Sequence, residues 1–217
     1  MIKLFVFDLD GTLLNSLEDL ANSTNYALEK NGYPARTIEE YRRFVSDGLP
    51  KLIERALGEK YNPEIGLRLT EDFVAYYSSH YVDATRLYSG VAEMLNELRA
   101  SGILLAILSN KPDPFLRIMI EQMFPAGTFA MVQGKTDQFL TKPDPASLQY
   151  VLHELHISPS ETLYIGDSDV DIYTAHNAGV KAVGVTWGFR DQQELEDAGA
   201  DYIVVSPSEI LTLASVE

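Results

Sequence analysis

Ile2-Lys3-Leu4-Phe5-Val6-Phe7-Asp8-Leu9-Asp10-Gly11-Thr12-Leu13 opens the chain with an apolar run that ends abruptly in two acids. A run that is apolar at successive positions suits a strand buried on both faces, as in a parallel sheet. Asp8 and Asp10 then stand at the carboxyl edge of that strand. Burying two neighbouring carboxylates is costly unless a cation or a shared proton compensates. A structural reading, with one acid as a helix cap and the other in a turn before Gly11, needs no cation. A calcium loop starting at Asp8 is excluded: it needs an acid at its fifth position, Gly at its sixth and Glu at its twelfth, and Thr12, Leu13 and Asp19 stand there.

Outward from this stretch, short apolar runs recur at Ile103–Leu108, Phe129–Val132, Thr162–Ile165, Val180–Val185 and Tyr202–Val205. Segments of helical length and spacing lie between them from Gly90 onward: Val91–Ala100, Pro114–Met123, Pro145–Leu155 and Val170–Ala178. Strand alternating with helix in this order predicts an α/β fold, a doubly wound parallel sheet of Rossmann-like form. From Leu14 to Arg86 the alternation stops, leaving amphipathic helical stretches broken at Asn31-Gly32, Gly58 and Asn62-Pro63. The expected division is a core of residues 1–14 and 85–217 with an inserted helical unit, a cap, at 15–84. Ligands of open α/β sheets bind at the carboxyl ends of the strands, so an insert leaving after the first strand sits above that site.

The 217 residues carry 17 Lys and Arg against 32 Asp and Glu, a formal charge of −15. Such a field repels nucleic acid and anionic membrane surfaces, so neither is an expected partner. Any anionic substrate must be met by local cations or a metal. With no cysteine, disulfides, thiolate nucleophiles and Cys-based zinc sites are excluded. No apolar stretch approaches the roughly 20 residues of a membrane helix, and a soluble, cytoplasmic protein is the expectation.

Three further stretches carry chemistry. Gly166-Asp167-Ser168-Asp169-Val170-Asp171 follows an apolar run, which suits an oxygen-rich site for a hard divalent ion at a strand end. Read blandly, it is a solvated turn capping the next helix. Ser109-Asn110-Lys111 also follows an apolar run, and Thr141-Lys142-Pro143-Asp144-Pro145 precedes a helix. A hydroxyl and an amide at a strand end bind phosphate oxygens, and an ammonium balances their charge. Three other signals are set aside. Gly134-Lys135-Thr136 lacks the earlier glycine of a P-loop, although Lys135 rivals Lys142 as the working ammonium. His153 and His156 have no third ligand in sight, and Trp187 reads as packing.

The order acid pair, Ser-Asn, Lys, acid cluster resembles the haloacid dehalogenase superfamily. Its four motifs match as Asp8-Leu9-Asp10-Gly11-Thr12, Ser109-Asn110, Lys142 and Gly166-Asp167-Ser168-Asp169-Val170-Asp171. The resemblance runs over nearly the whole chain and is closest to phosphoglycolate phosphatases with a helical cap. Supporting strings are Asp19-Leu20-Ala21, Leu52-Ile53-Glu54-Arg55-Ala56-Leu57 and Gly184-Val185-Thr186-Trp187-Gly188. It implies a phosphatase in which Asp8 attacks phosphorus and Asp10 moves the proton. Ser109, Asn110 and Lys142 would hold the phosphate oxygens. Mg²⁺ would be bound by Asp8, Asp10 through its backbone carbonyl, and Asp167, with Asp171 behind Lys142 or a metal water. Among the cap cations Arg42, Arg43, Lys51 and Arg55, Arg43 and Arg55 are expected to meet a second anionic group of the substrate. Departures from the family pattern are Ser46, Asn15 and Ser89, and Ser46 falls in the loop where specificity is set.

The expected partner is a small phosphorylated metabolite, with the protein a monomer or homodimer. Alternatives on the same scaffold are weighed by residue. A dehalogenase has no need of Asp10. The β-phosphoglucomutase relatives carry a histidine where this chain has Leu20. A catalytically silent binding protein would have lost a key acid. An inorganic pyrophosphatase or phosphosugar phosphatase stays open at this point.

Overall fold

A computed structural model describes residues 1–214. Strand β1 (Leu4–Phe7) is buried at every position. Its side chains alternate between the two sheet faces, as a strand's period of two requires. Phe5 and Phe7 point into one apolar cluster and Leu4 and Val6 into another. Both faces being covered is why this run reads as continuously apolar.

The chain continues through β2 (Leu14–Asn15), α1 (Leu17–Lys30), α2 (Ile38–Phe44), α3 (Leu49–Leu57), α4 (Pro63–His80) and β3 (Arg86–Leu87). There follow α5 (Val91–Ala100), β4 (Leu104–Pro112), α6 (Asp113–Met123), β5 (Met131–Lys135) and α7 (Ala146–Leu155). The last elements are β6 (Thr162–Gly166), α8 (Asp169–Asn177), β7 (Lys181–Val185), α9 (Gln192–Asp197), β8 (Tyr202–Val204) and α10 (Pro207–Leu213). Six strands form one parallel sheet in the order β5-β4-β1-β6-β7-β8. Helices α5, α6 and α10 pack on the Phe5 face, and α7 and α8 on the Leu4 face. The chain steps from β1 one way to β4 and β5, then crosses back to β6, β7 and β8. The carboxyl end of β1 is therefore the topological switch point, where such sheets open a crevice.

Helices α1–α4 have their own apolar cluster, containing Leu28, Tyr41, Ile53, Leu69 and Phe73. The insertion is joined to the sheet by a small antiparallel ribbon, Leu14 opposite Leu87 and Asn15 opposite Arg86. Two-residue strands leave no periodic signal, so the sequence shows a helical insertion but not its stem. Asp19, buried in the first turn of α1, accepts from the Ala84 N–H, the Thr85 N–H and the Thr85 hydroxyl. Asp19→Ala leaves those donors buried and unmatched. The expected cost is about 2–3 kcal/mol, read as a lower midpoint in urea.

Two strand boundaries correct the sequence reading. β4 runs on past Leu108 through Ser109, Asn110 and Lys111, with its pairing to β5 shifting between Leu108 and Pro112. The polar triplet therefore lies in the strand rather than after it. β5 begins at Met131 instead of Phe129, because Ala106 pairs with Met131, and it includes the polar Gln133 and Lys135 that an apolar-run search discards.

Candidate active site

Three strand ends converge at the switch point. Asp8 follows β1, Ser109, Asn110 and Lys111 end β4, and Asp167 follows β6. The loop before α7 brings Lys142 alongside. Its ammonium lies 2.6 Å from Asp171 Oδ1, 3.0 Å from Asp8 Oδ1 and 3.0 Å from the Tyr164 hydroxyl. All these groups are buried. Glycine makes the approach possible. A Cβ on Gly11, whose φ is +88°, would fall 2.2 Å from Asp167 Oδ2, and one on Gly166 would fall 2.2 Å from Asp171.

The acids are not equivalent. Both oxygens of Asp171 are engaged: Oδ1 by Lys142, and Oδ2 by the Ser168 N–H and hydroxyl at the start of α8. Asp167 accepts from Thr12 Oγ1 at 3.3 Å and the Phe189 N–H at 2.8 Å. Asp8 Oδ1 is buried without a hydrogen bond, because Lys142 approaches it off the bonding direction. Among the described residues, Asp8, Asp167 and Asp171 form the one group of potential metal-ligating side chains whose ligand atoms lie within 4.8 Å of one another. A hard, oxygen-seeking divalent ion fits Asp8 and Asp167 of this set, since both oxygens of Asp171 are already taken, and Asp8 Oδ1 lacks a hydrogen bond that such an ion would replace.

Electrostatics point the same way. Burial pushes the Asp8 carboxyl up to about 6, with Lys142 pulling it down and Asp171 and Asp10 adding to the rise. Burial also holds Asp167 well above the usual carboxylate range, reinforced by Asp171 and Asp8. Lys142 keeps its proton well beyond the ordinary lysine value: burial opposes the charge, but Asp171 and Asp8 outweigh it. The metal-free folded protein thus holds the Asp8 proton up to about pH 6, whereas the unfolded chain releases it near its ordinary value of 3.8. The contribution of this group to stability is therefore present at low pH and declines as pH rises through that interval. A divalent ion competes with the same protons. Added Mg²⁺ should stabilise the fold and so raise the melting temperature, with a stabilisation that grows between pH 4 and about 6 and reaches about 2.7 kcal/mol at a hundredfold excess over its dissociation constant. Thermal melts at several pH values, with Mg²⁺ against EDTA, check this.

On the other side of the crevice, Asp10 Oδ1 accepts from the Ser16 hydroxyl at 2.5 Å and Oδ2 faces Lys111 Nζ at 2.9 Å. Ser109 Oγ accepts from the Lys111 N–H, and its own proton is given to no partner among the described residues. The side chain of Asn110 is engaged within the protein. Its Oδ1 accepts from the Lys142 N–H, and its Nδ2 donates to the Ser46 and Lys142 carbonyls, so the side chain clamps the α2–α3 loop and the Lys142 loop to β4. Arg190 holds the same α2–α3 loop from the core, donating to the carbonyls of Arg42 and Val45.

The structure does not bring Arg43 and Arg55 into the crevice. Arg43 is exposed, and Arg55 pairs with Asp47 at 2.5 Å and donates to the Phe44 carbonyl. Lys135, the rival to Lys142, donates to the carbonyls of Thr136 and Phe139 in its own loop. His153 sits beside Glu154 on the surface, and Trp187 packs on the core while donating to the Thr12 carbonyl. The residues that sequence reasoning left unassigned are Lys111, Tyr77, Tyr164, Thr12 and Ser16. The visible signals among them were Lys111, two positions after Ser109, and Thr12, which closes the Asp8-Leu9-Asp10-Gly11-Thr12 string.

A crevice of acids paired with two buried ammonium groups, Lys142 and Lys111, at the switch point of this sheet, with a helical insertion after β1, defines a hydrolase of the haloacid dehalogenase type. Residues 5–185 match the family model for haloacid dehalogenase-like hydrolases, and the chain belongs to that family. Within it, the chain is 35% identical to the phosphoglycolate phosphatase of Vibrio parahaemolyticus, over 99% of this chain and 97% of that protein. It is 36% identical to the one from Vibrio cholerae, over 93% and 92%. The crystal structure of a predicted phosphoglycolate phosphatase from Haemophilus somnus 129pt superposes with a TM-score of 0.92 at 30% identity, covering 99% of this chain and 98% of that one. That of a predicted phosphatase from Clostridium acetobutylicum gives 0.88 at 27% identity, covering 98% and 100%. The chain is thus a phosphoric monoester hydrolase of the phosphoglycolate phosphatase-like kind. No helix among the described residues is long and apolar enough to cross a membrane.

Proposed function

We propose that this chain is a Mg²⁺-dependent phosphatase of small phosphomonoesters, with phosphoglycolate as its leading substrate, working through an aspartyl-phosphate on Asp8. The observation that carries the reading is the buried, hydrogen-bond-free Oδ1 of Asp8, 3.0 Å from the Lys142 ammonium, in a carboxylate grouped with Asp167. In the first step an Asp8 oxygen attacks phosphorus, the bond from phosphorus to the ester oxygen breaks, and Asp10 gives its proton to the departing alkoxide. In the second, water attacks the same phosphorus, Asp10 takes the proton, and the bond to Asp8 breaks to release inorganic phosphate.

Ser109 has a hydroxyl proton to give an equatorial oxygen, and Lys142 balances charge there while Asp171 holds it in place. Asp8, Asp167 and the backbone carbonyl of Asp10 would hold Mg²⁺, whose charge offsets the repulsion between Asp8 and the phosphate. The unit of residues 15–84 acts as a cap over a core of 1–14 and 85–217, and the crevice passes beneath it.

A panel of phosphoglycolate, pyrophosphate, hexose phosphates and nucleotide monophosphates, assayed with and without Mg²⁺, tests this. Phosphate release from phosphoglycolate that requires Mg²⁺ is the expected result. Interconversion of sugar phosphates without net release overturns it in favour of a mutase.

A further inference from the structure

The crevice continues beyond Asp10 into a cavity of about 60 Å³ between the core and the insertion. Its far walls are apolar, formed by Leu20, Val45, Leu49, Leu52, Phe73 and Phe115. The one cation lining it is Lys111, which is only 7% exposed. Two of the three protons of this ammonium are directed, one to Asp10 Oδ2 at 2.9 Å and one to the Tyr77 hydroxyl at 3.0 Å. The third has no partner among the described residues. Three cations of the insertion nearest in sequence to this wall are engaged elsewhere, Arg55 with Asp47, Lys51 with Glu54 and Arg42 with Glu39, and among the described residues no cation of the insertion lines the cavity.

A charged group entering such a chamber loses water on its apolar side and is costly unless a counter-ion meets it there. We infer that Lys111 is the residue that reads the substrate's second anionic group, the carboxylate of phosphoglycolate. This rests on the phosphatase reading above and transfers to Lys111 the role the sequence suggested for Arg43 and Arg55. The geometry follows from Asp10. An ester oxygen within hydrogen-bonding reach of that carboxyl lies next to the Lys111 ammonium. A carboxylate two bonds from the oxygen stays beside this ammonium, whereas the wall beyond it, with Leu49, Leu52 and Phe115, offers the charge of a longer acid no counter-ion. Tyr77, on α4 of the insertion, holds Lys111 in this position from above, so the insertion fixes the anion-reading group without supplying a cation of its own.

The test compares phosphoglycolate with ethyl phosphate, which shares the ester geometry but lacks the carboxylate, in wild type and in Lys111→Met, with Mg²⁺ present. Wild type should prefer phosphoglycolate by ~100-fold in kcat/KM, the scale of a charge-assisted hydrogen bond. Lys111→Met should lose that ~100-fold mainly through KM for phosphoglycolate, and at least tenfold less of its rate on ethyl phosphate. An equal fall on both esters makes Lys111 only a support for Asp10 and overturns the inference. Wild-type indifference between the two esters overturns it also, while leaving the phosphatase reading intact. Hydrolysis of neither ester takes down that reading and this inference together. Should Lys111→Met fail to fold by circular dichroism, wild type on the methyl ester of phosphoglycolate decides: a loss of ~100-fold relative to the free acid is expected, and no loss overturns the assignment.

Discussion

Asp8→Asn should fold as well as the wild type and hydrolyse nothing. The amide has the size of the carboxylate but cannot attack phosphorus, so Mg²⁺-dependent phosphate release should fall by roughly 10⁴-fold or more, as when other hydrolases lose a covalent nucleophile. The accompanying stability change is what separates chemistry from folding. In the metal-free protein the Asp8 carboxylate is disfavoured by its burial and by Asp171 and Asp10. Replacing it with a neutral group removes that penalty at pH 7, where the ionised form would otherwise be required. The variant should therefore melt no lower than wild type in EDTA and gain less from Mg²⁺. Two measurements, phosphate release and paired melts, check both halves. Residual turnover above a trace in pure protein rejects Asp8 as the nucleophile.

Lys142→Met carries the second large effect, and here stability and activity fall together. The Lys142 ammonium lies within 3.0 Å of both Asp8 and Asp171 and has no solvent to replace it. Removing it leaves three carboxylates whose ligand oxygens lie within 4.8 Å of each other without their cation. Breaking one side of a buried pair typically costs about 3–5 kcal/mol. The acids can lower that figure by taking up protons, so the loss should shrink at low pH and grow toward pH 8. Mg²⁺ should recover part of the stability and little of the activity, because the equatorial phosphate oxygens still lack their ammonium. Urea denaturation at pH 5 and pH 8 checks the sign. A variant equally stable at both pH values would show that Lys142 does not balance these acids.

These two variants involve residues that were prominent in the chain, and the reason is local. The ends of apolar runs mark strand ends, and strand ends in a doubly wound sheet meet at one edge. Asp8, Asp10, Ser109 and Asp167 could therefore be assigned to one place from their order along the chain together with the family resemblance it carries. Lys142 was harder, since Lys135 also followed an apolar run. Only the loop path, which turns Lys135 back onto the Thr136 and Phe139 carbonyls, separates them. The cap cations show the opposite case. Arg43 and Arg55 lie in the segment expected to face substrate, yet a sequence does not show that Asp47 captures Arg55.

The sequence alone determined the class of fold, the helical insertion after the first strand and the acids at the sheet edge, because continuous apolar runs mark strands buried on both faces, their ends mark the sheet edge, and amphipathic segments of helical length stand out between them. Tertiary structure alone decided that Asn110 clamps two loops, that Arg190 fastens the α2–α3 loop to the core, and that Lys111 stands between Asp10 and Tyr77. Those pairings join residues from 32 to 148 positions apart. They depend on how packed elements meet across the crevice, and no local periodicity records which distant carbonyl or hydroxyl a buried side chain will find.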